Sequence, residues 1–314
     1  MDAEFSGLYA LTADERRELY ARRDGPGLRR FGAQLFLLFV SGALTVGLAA
    51  RGDNLFWLAF AAYSVLLAAM FAAMHEAGHG TAFRSRGLNR LVLRIAAALM
   101  LMPPTGFCAF HFEHHRKTHV PGDPELPSGD IAFAAWPKNP LVLLILLSGQ
   151  LVLLGKIATL VNAAVGRGPA WWDRWVPFIA PAQRPAVTAE ARLILLAWLA
   201  LAALAWLWFP PLAWLLAGLS GAHLVLGPYI TAEHTGLPTG GDVLARSRSI
   251  RTNALVRWLF WNMPYHAEHH GWPALPFHAL PALHRRVADR LPVRVRGYLH
   301  VYADFVLRRL AARA

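Results

Sequence analysis

Apolar residues occur along the chain in long blocks, and four of these blocks are almost free of charge. A helix needs about 20 apolar residues to cross the hydrocarbon core of a bilayer. Blocks close to that length predict four membrane-spanning helices, at residues 33–50, 54–74, 193–209 and 212–230. Arg51-Gly52-Asp53 separates the first two blocks and Pro210-Pro211 separates the last two. Because such residues turn or break a helix, the pattern predicts two helical hairpins.

Two further apolar segments are shorter or carry polar residues. Residues 91–103 contain Arg94 and end at two prolines, and residues 141–165 contain Gln150 and Lys156. We expect both segments to lie in the membrane interface or to be re-entrant, not to span. Residues 121–140 are rich in Pro, Gly and Asp, which predicts a loop.

The composition supports a membrane protein. Of the 314 residues 56% are hydrophobic, and the formal net charge is +12. Arginines are concentrated before residue 31, after residue 74 and after residue 234, whereas the two hairpin turns hold one arginine. By the positive-inside rule, both termini and residues 75–140 are expected on the cytoplasmic side of a membrane, with a bacterial inner membrane as the expected location. Basic charge of this kind indicates contact with membrane lipids, and no nucleic-acid partner is expected.

We expect one membrane domain over residues 1–314, with three parts. Residues 1–32 form a cytoplasmic N-terminal segment, residues 33–234 hold the spans, and residues 235–314 form a cytoplasmic helical cap. The single cysteine, Cys108, excludes a disulfide, a CxxC pair and a four-cysteine iron–sulfur site.

Histidine supplies the candidate chemistry. Fourteen histidines are present, and most of them fall into three short clusters. The clusters contain His75 and His79, then His111, His114, His115 and His119, then His266, His269 and His270. Residues three and four apart share one face of a helix. An H-x-x-H-H spacing therefore lets one helix offer imidazoles to two neighbouring metal ions, and imidazole suits iron, zinc and copper.

Other polar residues near the clusters have less defined roles. His234 follows the last span and is a further candidate ligand, whereas His119 is a weaker one. Glu76, Glu113 and Glu268 lie inside the clusters, where they can orient ligating imidazoles or can be ordinary solvated carboxylates. His223 is expected to form hydrogen bonds or to line a substrate site. His278, His284 and His300 are expected at the surface or behind the ligands.

These motifs resemble the three histidine boxes of the membrane fatty acid desaturase superfamily. The boxes are His75-x3-His79, His111-x2-His114-His115 and His266-x2-His269-His270. The stretch from Asn262 to His270, and Gly122-Asp-Pro-Glu125, are also similar to that family. One departure is Ile230, at a position where stearoyl-type members have asparagine.

The resemblance implies two iron ions held by the eight box histidines and His234, in a four-span bundle with a cytoplasmic cap. It implies O2 as co-substrate and a lipid or acyl chain as substrate. Because no fused cytochrome b5 is found in these residues, electrons are expected from a ferredoxin- or cytochrome-type donor with its reductase.

The expected reaction is O2-dependent oxidation of an unactivated C–H bond. Fatty acid desaturation is the first interpretation, because the third box is most similar to that of desaturases. A hydroxylase or ketolase acting on a lipid acyl chain or a carotenoid is the alternative. A membrane metal-binding or transport protein is the alternative that is not an enzyme, and it predicts metal ligands at the bilayer midplane.

Overall fold

Long helices dominate the computed structural model, which describes residues 10–311. Four of the described helices are long and apolar enough to cross a membrane, which confirms the predicted number of spans by length and composition. Numbered in chain order, they are α2 (Asp24–Arg51), which the short α1 (Ala13–Leu19) precedes, α3 (Phe56–Gly78), α9 (Arg184–Leu207) and α10 (Ala213–His234). Helix α3 packs against both α2 and α10.

The two hairpin turns follow from their sequences. Gly52 ends α2 in the left-handed conformation, at a φ of 66°, and its N–H donates to the carbonyl of Ala49. The Asp53 carboxylate then accepts a hydrogen bond from the Leu55 N–H, at 2.9 Å. At the other hairpin, a 3-10 turn at Pro210–Leu212 separates α9 from α10.

Two of the spans begin earlier than the apolar pattern predicts. Helix α2 starts nine residues before residue 33, and α9 starts nine residues before residue 193. The first turns of these helices are polar and lie outside the apolar window. They are stable as helix because other parts of the chain form hydrogen bonds with their side chains. Asp24, for example, accepts a hydrogen bond from the Ser85 N–H at 2.9 Å, and Arg30 Nη1 donates to the Arg257 carbonyl at 3.2 Å.

The two weaker apolar segments form bent pairs of helices. Helices α4 (Arg86–Leu99) and α5 (Pro104–Lys117) meet at 95°, and α6 (Pro140–Ser148) and α7 (Gln150–Ala164) meet at 55°. The first bend lies at the two prolines and the second at Gly149, whose φ is 67°. Each pair fits either a broken span or a re-entrant segment, so an interfacial position remains a prediction.

The remaining described elements are short. Residues 121–139 contain only 3-10 turns, at Pro127–Gly129 and Ile131–Ala134, in agreement with the predicted loop. Helix α8 (Pro169–Trp175) and a 3-10 turn at Pro181–Gln183 precede α9. The C-terminal segment contains α11 (Ala254–Leu259), α12 (His266–Gly271), α13 (Leu280–Val287), α14 (Tyr298–Ala311), 3-10 turns at Val243–Ala245 and Ala288–Arg290, and the parallel strand pair β1 (Ser249–Ile250) and β2 (Arg294–Val295).

Buried apolar side chains form one large core inside the bundle and a smaller core in the C-terminal segment, where Leu19 of α1 also packs. Many large apolar side chains elsewhere on the bundle are exposed, including Phe39 at 74% and Trp206 at 86%. An exposed apolar surface of this extent is unusual for a soluble monomer and fits contact with lipid.

Candidate metal centre

The structure brings nine histidines into two adjacent groups, and these are the nine that the sequence analysis selects. The five-histidine group contains His75, His79, His111, His115 and His269. The four-histidine group contains His114, His234, His266 and His270. Within each group, the ring nitrogens offered as ligands all lie within 4.8 Å of one another.

Helix geometry explains how the chain divides its histidines between the groups. Helix α5 directs His111 and His115, one turn apart, to the five-histidine group and His114 to the four-histidine group. Helix α12 does the converse, since His269 belongs to the first group and His266 and His270 to the second. Each H-x-x-H-H motif therefore serves both groups.

In the five-histidine group, ring Nε2 atoms form a chain of short contacts. The Nε2 of His111 lies 2.7 Å from that of His79 and 3.0 Å from that of His115. The Nε2 of His115 lies 3.1 Å from that of His269. His75 completes the group, with its ring centroid 4.2 Å from that of His111.

The four-histidine group repeats this arrangement. The Nε2 of His266 lies 2.8 Å from that of His234 and 3.0 Å from that of His270. The Nε2 of His114 lies 3.4 Å from that of His270. The rings of His115 and His270 stack with centroids 4.4 Å apart, so the two groups are direct neighbours.

The donor geometry fits metal ions. Two imidazole nitrogens bound at right angles to one ion, each about 2.1 Å from it, lie about 3.0 Å apart. Unprotonated ring nitrogens that face each other at such a distance repel unless a cation lies between them. Both ring nitrogens of the buried His75 also lack a hydrogen-bond partner. Such unpaired buried nitrogens are costly without a partner, and a bound ion would satisfy one of the two.

Burial keeps the C-terminal imidazoles in the form that binds metal. Burial, followed by the charges of neighbouring histidines, holds the pKa of His266, His269 and His270 well below its ordinary value. A histidine must be neutral to offer a ring nitrogen to an ion. These three rings are therefore ready to act as ligands at neutral pH.

Buried polar groups contact the outer ring nitrogens of several of these histidines. The Asp123 carboxylate accepts a hydrogen bond from His114 Nδ1 at 2.9 Å. Glu76 Oε1 lies 3.4 Å from His75 Nδ1 and 3.9 Å from His269 Nδ1. Such contacts orient imidazoles and leave Nε2 free for an ion.

The other end of the site has similar contacts. Glu233 Oε1 lies 3.4 Å from His266 Nδ1. His234 Nδ1 donates to the Arg246 carbonyl at 2.7 Å. Sequence reasoning missed Asp123 and Glu233 in this role. The available signal was an acidic residue next to a candidate ligand, and Glu233 directly precedes His234.

Two of the three glutamates singled out in the motifs contact other partners. Glu113 pairs with Arg116 Nε and Lys117 Nζ, at 2.8 and 2.9 Å, which favours the second alternative given for it, an ordinary carboxylate of the helix surface. Glu268 accepts hydrogen bonds from Ser249 Oγ at 2.9 Å and from His284 Nδ1, and neither of these partners is one of the nine. The third of these glutamates, Glu76, does lie beside candidate ligands.

The remaining histidines lie outside both groups. His119 is buried, and its Nδ1 donates to the Pro238 carbonyl at 3.0 Å. His223 donates through Nδ1 to the Leu219 carbonyl at 2.7 Å, which agrees with the hydrogen-bonding role expected for it. His278 is partly buried, His284 stacks on Tyr265, and His300 is exposed.

Four apolar spans joined to two neighbouring histidine groups define a helical membrane protein that can hold metal ions at one end of its bundle. A family model described as fatty acid desaturase matches residues 13–302, nearly the whole chain, and the chain belongs to that family. The family is one of oxidoreductases and is known for di-iron sites. No curated protein matches the chain.

Proposed function

We propose that this chain is an O2-dependent di-iron enzyme that oxidises an unactivated C–H bond of a lipid acyl chain, and that the reaction is desaturation. The observation that carries the proposal is the convergence of nine histidines into two adjacent groups. The five-histidine group would hold one iron ion and the four-histidine group the other. Imidazole is a suitable ligand for iron.

The irons, when bound, supply the activation of O2 and the removal of hydrogen from carbon. Burial favours the neutral form of the C-terminal ligands His266, His269 and His270, and Glu76, Asp123 and Glu233 lie where they can orient imidazoles. Aromatic rings also cover part of the five-histidine group. Phe107 stacks on His111 with ring centroids 5.4 Å apart, and Phe112 packs edge-on against His79 at 5.7 Å. Phe107 is buried, so it excludes water from the face of His111 on which it stacks.

The proposed setting follows from the spans and the charge pattern. The substrate is an apolar acyl chain, and the histidines lie on the cytoplasmic side of a bacterial inner membrane. Electrons come from a separate ferredoxin- or cytochrome-type donor with its reductase. Arginine-rich segments outside the spans contact anionic lipid headgroups.

Lipid analysis tests the reaction. The chain is expressed in a host that supplies O2 and a donor system, and the acyl lipids are compared by mass spectrometry with those of a His270→Ala strain. Loss of two hydrogens from an acyl chain is expected. Gain of one oxygen would instead show hydroxylation, and gain of one oxygen with loss of two hydrogens would show ketone formation.

Metal analysis tests the class of protein. Protein purified without O2 and reconstituted with ferrous iron is expected to hold two irons per chain and to consume O2 when reduced. A chain that binds zinc in preference to iron and transports it, without O2 consumption, would contradict the enzymatic proposal and support a metal-transport protein.

A further inference from the structure

The two histidine groups differ in the number of nitrogen donors they offer. Among the described residues, one group brings together five imidazoles and the other only four. An iron ion in the second group would therefore have one donor fewer from histidine. A polar side chain with an atom on the ligand side of these rings would supply the missing donor.

Glu125 is such a residue. Its Oε1 lies 3.7 Å from Nε2 of His114, the nitrogen that His114 turns toward the other rings of the four-histidine group. Asp123 contacts the opposite nitrogen of the same ring, Nδ1. The two carboxylates therefore lie at opposite ends of one imidazole, and only Glu125 is on the side where an ion would bind.

Asp123 holds both partners of this contact in place. One of its carboxylate oxygens accepts hydrogen bonds from His114 Nδ1 and from the Glu125 backbone N–H, each at 2.9 Å. The same loop is closed by the Leu126 N–H, which donates to the Asp123 carbonyl at 3.0 Å. The Asp123 carboxylate thus holds both the loop and the imidazole of His114. This positions the Glu125 side chain relative to the four-histidine group.

Glu125 also has little else to compensate its charge. Its side chain is 24% exposed, and among the described ion pairs its only partner is His114. A partly buried carboxylate without a cation loses hydration that nothing in the protein replaces. A metal ion beside His114 would supply the missing positive charge.

We propose that Glu125 is a ligand of the metal ion in the four-histidine group, which gives both groups five donors. This inference rests on the proposed di-iron function. Histidine combined with carboxylate is a common donor set for non-haem Fe(II). The two irons would then be chemically different, because one has only neutral nitrogen donors and the other has an anionic oxygen donor.

The test uses full-length protein reconstituted without O2 with 57Fe(II) in detergent. Glu125→Gln removes the anionic donor at nearly constant shape, and Glu113→Gln is the matched control because Glu113 pairs with surface cations. Wild type is expected to hold two irons with two distinguishable ferrous Mössbauer signals. Glu125→Gln is expected to hold one iron as wild type does and to bind the second at least about tenfold more weakly. Glu113→Gln should match wild type.

A second variant separates loss of a ligand from misfolding. Glu125→Asp keeps the charge on a shorter side chain, so its second iron should bind more tightly than in Glu125→Gln and more weakly than in wild type. Two irons bound by Glu125→Gln with wild-type affinity and unchanged Mössbauer signals would overturn the proposal. If wild-type protein itself bound fewer than two irons, the di-iron function would fail, whatever the effect of Glu125.

Discussion

The five-histidine group and the four-histidine group face different surroundings. Aromatic rings lie against the first, where Phe107 is 2% exposed and stacks on His111. Glu76 is the polar neighbour described for the first group, whereas Asp123, Glu233 and the carbonyl of Arg246 all lie against the second. The difference suggests a division of roles. We expect the apolar acyl chain to approach the five-histidine side, and protons and electrons to reach the four-histidine side.

The largest expected effect comes from removing one ligand from either group. His75→Ala takes a nitrogen from the five-histidine group, and His270→Ala takes one from the four-histidine group. Because the proposed reaction needs both irons, each change should abolish product formation while the protein still inserts into membranes. Turnover is measured by lipid analysis, and iron content by mass spectrometry of purified protein.

His300→Ala is the control for these changes, because His300 is exposed and belongs to neither group. It should keep full activity and both irons. Normal turnover by either His75→Ala or His270→Ala would show that its group is not part of the catalytic centre. The proposed division of roles between the two groups would then be wrong.

An intermediate effect is expected from the carboxylates behind the ligands. Glu76→Gln alters the contacts of His75 and His269, whereas Asp123→Asn alters that of His114. Each change should lower the affinity of one group for its iron ion by about 10–100-fold, because such partners raise the basicity of an imidazole and fix its orientation. Equilibrium dialysis against a chelator, followed by iron analysis, measures both affinities.

The two variants should also affect different irons. Glu76→Gln should change the Mössbauer signal of the five-histidine iron, and Asp123→Asn that of the other. If both substitutions altered the same signal, the division of histidines between the groups would be wrong as a description of the metal-bound protein.

Local spacing indicated the eight histidines of the three motifs, because helix geometry places residues three and four apart on neighbouring faces. Their division into five and four was not predictable. It depends on how α3, α5, α10 and α12 are oriented against one another, which packing determines. His234 illustrates this, since its sequence position indicated only that it returns to the correct end of the bundle.

The supporting acids were harder to predict than the ligands. Glu113 and Glu268 lie within the motifs but face other partners, because each helix can turn only one side to the metal site. Asp123 contacts His114 from a loop nine residues away, and no periodic pattern marks such a contact. Likewise the apolar pattern predicted the four spans, but it did not predict the bend at Gly149 or its packing on α10.

The smallest expected effect concerns that packing. Gly227 lies in α10 two helical turns before His234, where α10 crosses the bend between α6 and α7. A Cβ added at Gly227 would lie 2.2 Å from the carbonyl oxygen of Leu147 and 2.6 Å from the backbone N of Gly149. Neither backbone atom can move aside easily, so Gly227→Ala should destabilise the fold by about 1–3 kcal/mol. A lower midpoint of unfolding in detergent measures this.

The same substitution distinguishes the two groups, because α10 carries a ligand of the four-histidine group and none of the five-histidine group. A shift of α10 should lower the affinity for the iron near His234 a few-fold and leave the affinity for the other iron unchanged. Gly155→Ala in α7 is the control, since its added Cβ meets no atom within 4 Å apart from those of its own helix turn, and alanine favours a helix by up to about 1 kcal/mol. An unfolding midpoint for Gly227→Ala equal to that of Gly155→Ala would show that the close contact between α10 and the bend does not hold in the protein.

An equal loss of affinity for both irons would show that α10 positions the whole metal centre and not only the four-histidine group.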